Sequence, residues 1–530
     1  MSEAAPRLAR SAGLFGLATM ASRILGLVRD QVLAYYFGAG DAMDAFRVAF
    51  RIPNLVRDLF AEGAMSAAFV PTFTAELTTG GKPRAWSLAN SVVTALVLVT
   101  GVLVLLGTVF AEPLVRFYAE GFEEVPGKLD LTVYLTRIMT PFLTLVAVAA
   151  VFMGMLNALG HFFVPALSPA MFNVATIVVT VSLVPFAGEL GVHPIVLVAI
   201  STIVGGLGQL LIQWRPRRQE GYGYWPTLDI RDPALGRVLL LMGPGTVGLA
   251  ATQINIFVNT RFAADEGTGA IAALDYAFRV MYLPIGLFGV SIAAASTPAF
   301  SRQVASGERA QMGATVASAI GLMLALSVPA TVGLIVLAPA IVALIFEHGQ
   351  FTATDTIATA GALQFYAVGL VGYSIVRIVS PAFYALRRSR IPVAASIASV
   401  VANVLLAVTL VRVMSFAGLA LATSLAAIVN AGIQLILLRR ELGGIEAGRI
   451  TLTLGKTTVA ALAMGAAAWY TELSLRTAWP GTAIGLQALR VFVAIGVALA
   501  VLSACAWLLR LHEFEEARGM VSRRFRRASR

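Results

Sequence analysis

TMASRILGLVRDQVLAYYFGAGDAMDAFRVAFRIPNLVRDLFAEGAMSAAFVP, residues 19–71, decides how this chain is read. It spells two apolar helices joined by a tight turn at Phe37–Asp41, yet it carries Arg23, Arg29, Asp30, Asp44, Arg47, Arg51, Arg57, Asp58 and Glu62. A guanidinium at the centre of a membrane-spanning helix costs about 2.5–3.5 kcal/mol on insertion scales. Five arginines in two spans therefore line a water-filled cavity, pair with carboxylates or an anionic ligand, or reach up to the headgroups from near a membrane surface. At 100° per residue Asp44, Arg47 and Arg51 share one helix face, and Arg23 and Asp30 share another. Pro53 is expected to kink the second helix, which leaves the phase of Arg57, Asp58 and Glu62 open.

Working outward, 58% of the 530 residues are hydrophobic and 13% charged. Apolar runs of 18 or more residues recur from end to end, the mark of an all-α, polytopic membrane protein. The first apolar run holds Arg23 and Arg29 and lacks a small-residue cleavage site, so no cleavable signal peptide is expected. Cys505 is the single cysteine and excludes an internal disulfide. The net charge of +11 falls mainly in alternate loops. That pattern argues for membrane orientation and against nucleic acid as a partner.

About 14 transmembrane helices are expected. Arginine and lysine gather in the connections after every second one, at Lys82 and Arg84, Arg215–Arg218, Arg302 and Arg309, Arg387–Arg390, and Arg439–Arg449. Both termini are then cytoplasmic in a bacterial cytoplasmic membrane. AMDAFRVAFRIP (42–53) and ALDYAFRVMYLP (273–284) repeat with Asp44 matching Asp275 and Pro53 matching Pro284. This predicts two parallel-repeat six-helix lobes with a site between them, plus two extra C-terminal helices. The expected parts are a first lobe over 1–214, a cytoplasmic loop over 215–233, a second lobe over 234–440, two further spans over 452–510, and a basic tail over 511–530. That tail, rich in arginine, suits an anchor on anionic lipid.

No catalytic constellation emerges. His161, His193, His348 and His512 are scattered, and a phosphate loop, a zinc motif and a nucleophile elbow are missing. Neither an enzyme activity nor a cofactor or metal is expected. The second lobe adds Arg279 and Arg377 inside spans. Guanidinium groups grip phosphate bidentately and stay charged. Asp30, Asp44, Glu62 and Asp275 are candidates for ion pairs that hold the arginines apart and rearrange during a cycle. Purely structural ion pairing remains the alternative for these carboxylates. The seventh span (234–262) and the eleventh (391–411) offer Gln253, Asn255, Asn259 and Asn403 but no acid, which argues against a strong sodium site there. The membrane potential is then the expected driving force.

SRILGLVRD (22–30), FGAG-x-x-x-DAF (37–46) and RIPNLVRDLFAEGAMSAAFVP (51–71) resemble the N-terminal signature of the MurJ (MviN) lipid II flippases, within the multidrug/oligosaccharidyl-lipid/polysaccharide exporter superfamily. Weaker likeness continues through 153–173, 276–291, 346–352 and 380–393, covering nearly the whole chain. The resemblance implies an alternating-access transporter that moves the undecaprenyl-pyrophosphate disaccharide-pentapeptide to the outer leaflet. It implies lipid II and membrane lipids as ligands, with cell-wall synthesis proteins as candidate partners. By position in the motifs it assigns substrate-binding or gating roles to Ser22, Arg23, Arg29, Asp30, Asp44, Arg57, Glu62 and Arg279. The position of Arg377 is basic in relatives, whereas Phe278 stands where some relatives carry an acid. An exporter of another polyprenyl-linked glycan or of a small molecule on the same fold is the nearest alternative. A membrane enzyme acting on polyprenyl phosphates is the more distant one.

Overall fold

The structure is a computed structural model and describes residues 4–58 and 65–511; Glu62 and the basic tail from His512 lie outside them. The described residues are helical with short connections, as an all-α membrane fold requires, because within lipid each backbone N–H and C=O must find its partner inside its own segment. Among them, nine helices are long and apolar enough to cross a bilayer, or ten if one bent pair counts as a span. The chain is thus a multi-pass membrane protein. Its contacts divide it into two compact units, Met1–Ala272 and Ala273–Arg530.

The first unit begins with α1 (Ala4–Phe37) and α2 (Asp41–Arg57). Gly38 makes the turn that separates them in a left-handed conformation (φ 59°) that an L side chain resists. Asp41 and Asp44 fall in the first turn of α2, where carboxylates complement the helix dipole. The helix continues through Pro53 to Arg57. α3 (Met65–Val109) is divided at Gly81, which has φ 68°. There follow α4 (Ala111–Tyr118), α5 (Lys128–Met139), α6 (Phe142–Ala158), α7 (Phe163–Leu167), α8 (Ala170–Leu183), α9 (Pro194–Ile212), α10 (Trp214–Gln219) and α11 (Pro233–Ala264).

Only 17% of the most apolar window of α3 is buried, with Leu98, Val102, Leu105 and Val109 exposed. In water such a surface would aggregate; in a bilayer it is the lipid-facing side. The opposite side of α3 packs on α6 and α11 through Phe69, Phe73, Leu88, Val92, Phe152 and Val238. Within α5, Thr132, Thr136 and Thr140 each donate to the carbonyl four residues earlier, at 2.6–2.8 Å, so buried hydroxyls need no outside partner.

The connection after α9 is fastened to α3 by polar side chains. Glu220 accepts from Lys82 at 3.1 Å and lies 2.8 Å from Nε2 of His161. Tyr222 donates to Asn90 at 2.7 Å. Arg84 bridges Glu76 (3.1 Å) and Asp232 (2.7 Å), and Arg237 reaches Glu76 at 3.0 Å. Asp232 also accepts from the Ala234 amide at 2.9 Å, capping α11 with Pro233 at its first position. The His161 and Lys82 contacts hold the Glu220 carboxyl below the usual carboxylate range, against a smaller opposing effect of burial.

The chain enters the second unit along α12 (Ala270–Pro284), which passes into a π-helical turn at Ile285–Gly289 and then α13 (Val290–Ala305). α14 (Arg309–Phe346) is the long central helix. α15 (Ala353–Val368) starts with a capping box in which Thr352 and Asp355 serve each other's amides. It meets α16 (Leu370–Ala385) at a bend of 41°. α17 (Arg390–Met414), α18 (Phe416–Leu442), α19 (Ala447–Ala478) and α20 (Ile484–Leu508) complete the unit.

Its core joins α13, α14, α16 and α18 through Phe300, Ile320, Met323, Val379, Phe383 and Leu438. α16 can approach α18 because Gly372 has no side chain; a Cβ there would stand 2.8 Å from the Ala427 backbone. The last two helices attach through α14, with Leu337, Met464, Ala468 and Ala494 in one cluster.

Candidate substrate-binding site

In the first unit the charged residues of α1 and α2 form a buried network. Asp30 is 1% exposed and accepts from two guanidinium groups: Arg29 at 2.9 Å and Arg47 at 3.4 Å. Arg29 also donates to Asn173 on α8 at 3.0 Å and lies 5.3 Å from the Phe172 ring centre. Asn173 in turn donates to the Ser22 carbonyl at 3.1 Å, tying α8 to α1. The Asp30 carboxylate thus lies against two buried cations. Arg23, one turn and a half earlier on α1, is exposed and makes no hydrogen bond or ion pair among the described residues.

Farther along α2, Arg57 pairs with Asp58 at 2.8 Å, and Asp58 accepts from Asn54 and from Gln253 of α11 at 3.2 and 3.0 Å. Asp44, at the other end of α2, is fully buried. It accepts from Lys128 at 2.9 Å and from the Gly269 and Ala272 amides at 2.7 and 2.9 Å. Lys128 also pairs with Asp41 at 2.8 Å and stands 4.2 Å from the Phe122 ring centre.

In the second unit Arg279 donates to Asp275 at 2.9 Å, one turn back on α12, and keeps 36% of its side chain exposed. Arg377 on α16 donates to the Tyr282 hydroxyl and stands 5.7 Å from that ring's centre. Phe278 stacks on Tyr282 at 5.7 Å and meets Tyr366 and Tyr373 edge-on at 5.4 and 6.4 Å.

The structure thus links Ser22, Arg29 and Asp30 through Asn173 and Arg29, pairs Arg279 with Asp275, and joins Arg377 to the rings of α12 and α16 through Tyr282. Arg57 and Asp44 occupy separate clusters within the first unit. Asn173 and Lys128 were not singled out as site residues by the sequence, because a lysine in a loop and a neutral amide carry no signal of their own. Arg47 was marked only as one of five arginines inside the first two spans. No group of three or more metal-ligating side chains comes together among the described residues.

Residues 33–486 match the family model described as lipid II flippase MurJ. The chain belongs to the MurJ family. It is 33% identical over 97% of its length to a probable lipid II flippase of Bdellovibrio bacteriovorus, covering 97% of that protein. To the corresponding Vibrio cholerae protein it is 32% identical, over 96% of this chain and 98% of the other. A solved MurJ structure in an inward closed conformation superposes with a TM-score of 0.76 at 26% identity, covering 94% of this chain and 99% of that one. An inward-facing multidrug transporter of the same superfamily gives 0.66 at 16% identity over 82% of this chain and 99% of that one, a likeness of fold alone. MurJ proteins are transporters, which accords with the absence of catalytic motifs in the sequence.

Proposed function

We propose that this protein is a lipid II flippase that carries the undecaprenyl-pyrophosphate-linked peptidoglycan precursor from the inner to the outer leaflet by alternating access. The pyrophosphate is the part that lipid excludes, and arginine is the residue that replaces its water with bidentate hydrogen bonds. The observation that carries the reading, beside family membership, is that Arg23 inside the 34-residue α1 is exposed and Arg279 inside the mainly apolar α12 keeps 36% of its side chain exposed. Arg23, Arg29, Arg57, Arg279, Arg377 and Ser22 are the proposed substrate contacts. Asp30, Asp44, Glu62 and Asp275 are the proposed exchange partners that release the arginines.

We further propose fourteen spans, counting α1, α2, α11 and the α12–α13 segment with the ten apolar ones, arranged as two duplicated six-helix lobes and two additional helices. Both termini are cytoplasmic on this reading. With Cys505 replaced, single cysteines at Gly40, Thr268 and Thr352 react with an impermeant thiol reagent from outside, and those at Gly81 and Ser389 do not. Labelling of Ser389 with protection of Thr352 would reverse the orientation. For the activity itself, depletion of the protein leaves lipid II on the cytoplasmic leaflet. Unchanged appearance of lipid II outside would end the proposal.

A further inference from the structure

Arg377 and Arg279 stand among aromatic residues of α12 and α16, whose ring faces do not themselves grip phosphate. Phe278 and Tyr282, one turn apart on α12, stack at 5.7 Å with 25° between their planes. Tyr373 on α16 closes edge-on at 6.4 Å, and Tyr366 on α15 supports Phe278 from the buried side. Phe278, Tyr282 and Tyr373 are each only partly buried, as are the two arginines. Three partly exposed rings therefore adjoin Arg377, and Arg279, three residues before Tyr282 on α12, is a neighbour of that ring on the helix surface.

The Arg377–Tyr282 contact adds direction. Because the Tyr282 oxygen accepts from Arg377, its own O–H proton is left to donate elsewhere. A guanidinium and a phenol proton side by side suit the oxygens of a phosphate, and the ring faces next to them suit something apolar and flat. Pyranose rings present such a face, a patch of C–H groups with positive hydrogens that match the negative face of an aromatic ring. Ligand sites of this kind combine aromatic walls with a few fixed polar groups.

We propose that Phe278, Tyr282 and Tyr373 form a ledge that stacks against the sugar ring attached to the pyrophosphate, while Arg279 and Arg377 hold the phosphates. This inference rests on the lipid II reading and specifies which part of the substrate the second unit recognises. Tyr282 has a double part: its ring extends the ledge and its oxygen positions Arg377.

The test measures binding of two probes to the purified full-length protein in nanodiscs: lipid II and undecaprenyl pyrophosphate, which has no sugar. Phe278→Ala is expected to weaken lipid II binding about tenfold and leave undecaprenyl pyrophosphate within about twofold. Phe278→Trp restores lipid II binding. Tyr282→Phe keeps the ring, frees Arg377, and weakens both probes alike. Lipid II without its stem peptide behaves as intact lipid II in every variant. If Phe278→Ala weakens both probes equally, or neither, the ledge does not read sugar. A loss of the Phe278→Ala effect when the peptide is removed would assign the rings to the peptide and overturn the proposal. If the wild-type protein binds neither probe, the transport reading itself falls, an outcome separate from the other two.

Discussion

The arginines of the two units live in different surroundings. In the first unit Arg29 and Arg47 are 7% and 6% exposed, and the Asp30 carboxylate lies against both. In the second unit Arg279 has 36% of its side chain exposed, and its acid, Asp275, sits on the same helix one turn away. A buried pair is held together because separating it strands a charge where water cannot reach. A pair within one helix whose arginine is a third exposed is held less firmly, the limit for fully exposed helical pairs being about 0.2–0.5 kcal/mol. The first cluster is thus held firmly in the packing of α1, α2 and α8, so exchanging its partners costs more, whereas the second is the more readily opened of the two.

The sharpest way to break this contrast is to remove the two acids. Asp30→Ala takes the carboxylate from between two buried guanidinium groups and is expected to cost about 3–5 kcal/mol, enough to depress both yield and thermal stability in detergent. Asp275→Ala is expected to cost clearly less, since its arginine keeps access to solvent. Equal losses from the two substitutions would erase the distinction between a firmly and a loosely held pair.

Transport should divide along the same line. Arg279→Ala is expected to leave the protein folded and at normal membrane levels while nearly abolishing lipid II flipping. Arg279→Lys, which keeps the charge and loses the two-pronged donor, impairs it to an intermediate degree. Arg29→Ala, by contrast, lowers protein level and flipping together, since it vacates a site packed against Phe172 and Asn173. Flipping measured at matched protein levels separates the two. Normal transport by Arg279→Ala would remove its gripping role and leave Asp275–Arg279 as an ion pair only.

The sequence exposes part of this because charges inside apolar runs are costly wherever they occur, so Arg29, Asp30, Asp44 and Arg279 announce themselves without a structure. The all-α membrane fold and the family are legible for the same reason: apolar runs and a nearly unbroken motif over 22–71. What stays hidden is pairing at long range. Arg29 finds Asn173 across 144 positions, and Asp44 finds Lys128 across 84. Lys128 reads as an ordinary loop lysine, and only the fold buries it against Asp44 and Phe122. The ring cluster at Phe278 is equally silent, since phenylalanine and tyrosine at helical spacing are the ordinary content of a core.

The smallest expected effect tests whether exposed pairs matter anywhere in the first unit. Glu220 joins three segments, accepting from Lys82 and lying in hydrogen-bond reach of His161. Its carboxyl is held below the usual carboxylate range, the His161 hydrogen bond contributing most. A group whose folded pKa is lowered contributes its stabilisation fully above the unfolded carboxylate pKa and loses it as pH falls through the folded value. Glu220→Gln should therefore lower the thermal midpoint at neutral pH, by the equivalent of less than about 1 kcal/mol because the pair is partly solvated. The gap between variant and wild type should close as the medium is acidified through the carboxylate range. Lys82→Met should reproduce part of the neutral-pH loss and add nothing further in the double variant, because both changes remove one contact. Thermal unfolding in detergent from neutral to acid pH reads wild type and the three variants. A gap that persists unchanged at low pH would mean that the Glu220 charge does nothing to fasten this connection, and that its holding comes from Tyr222 and Asn90 instead.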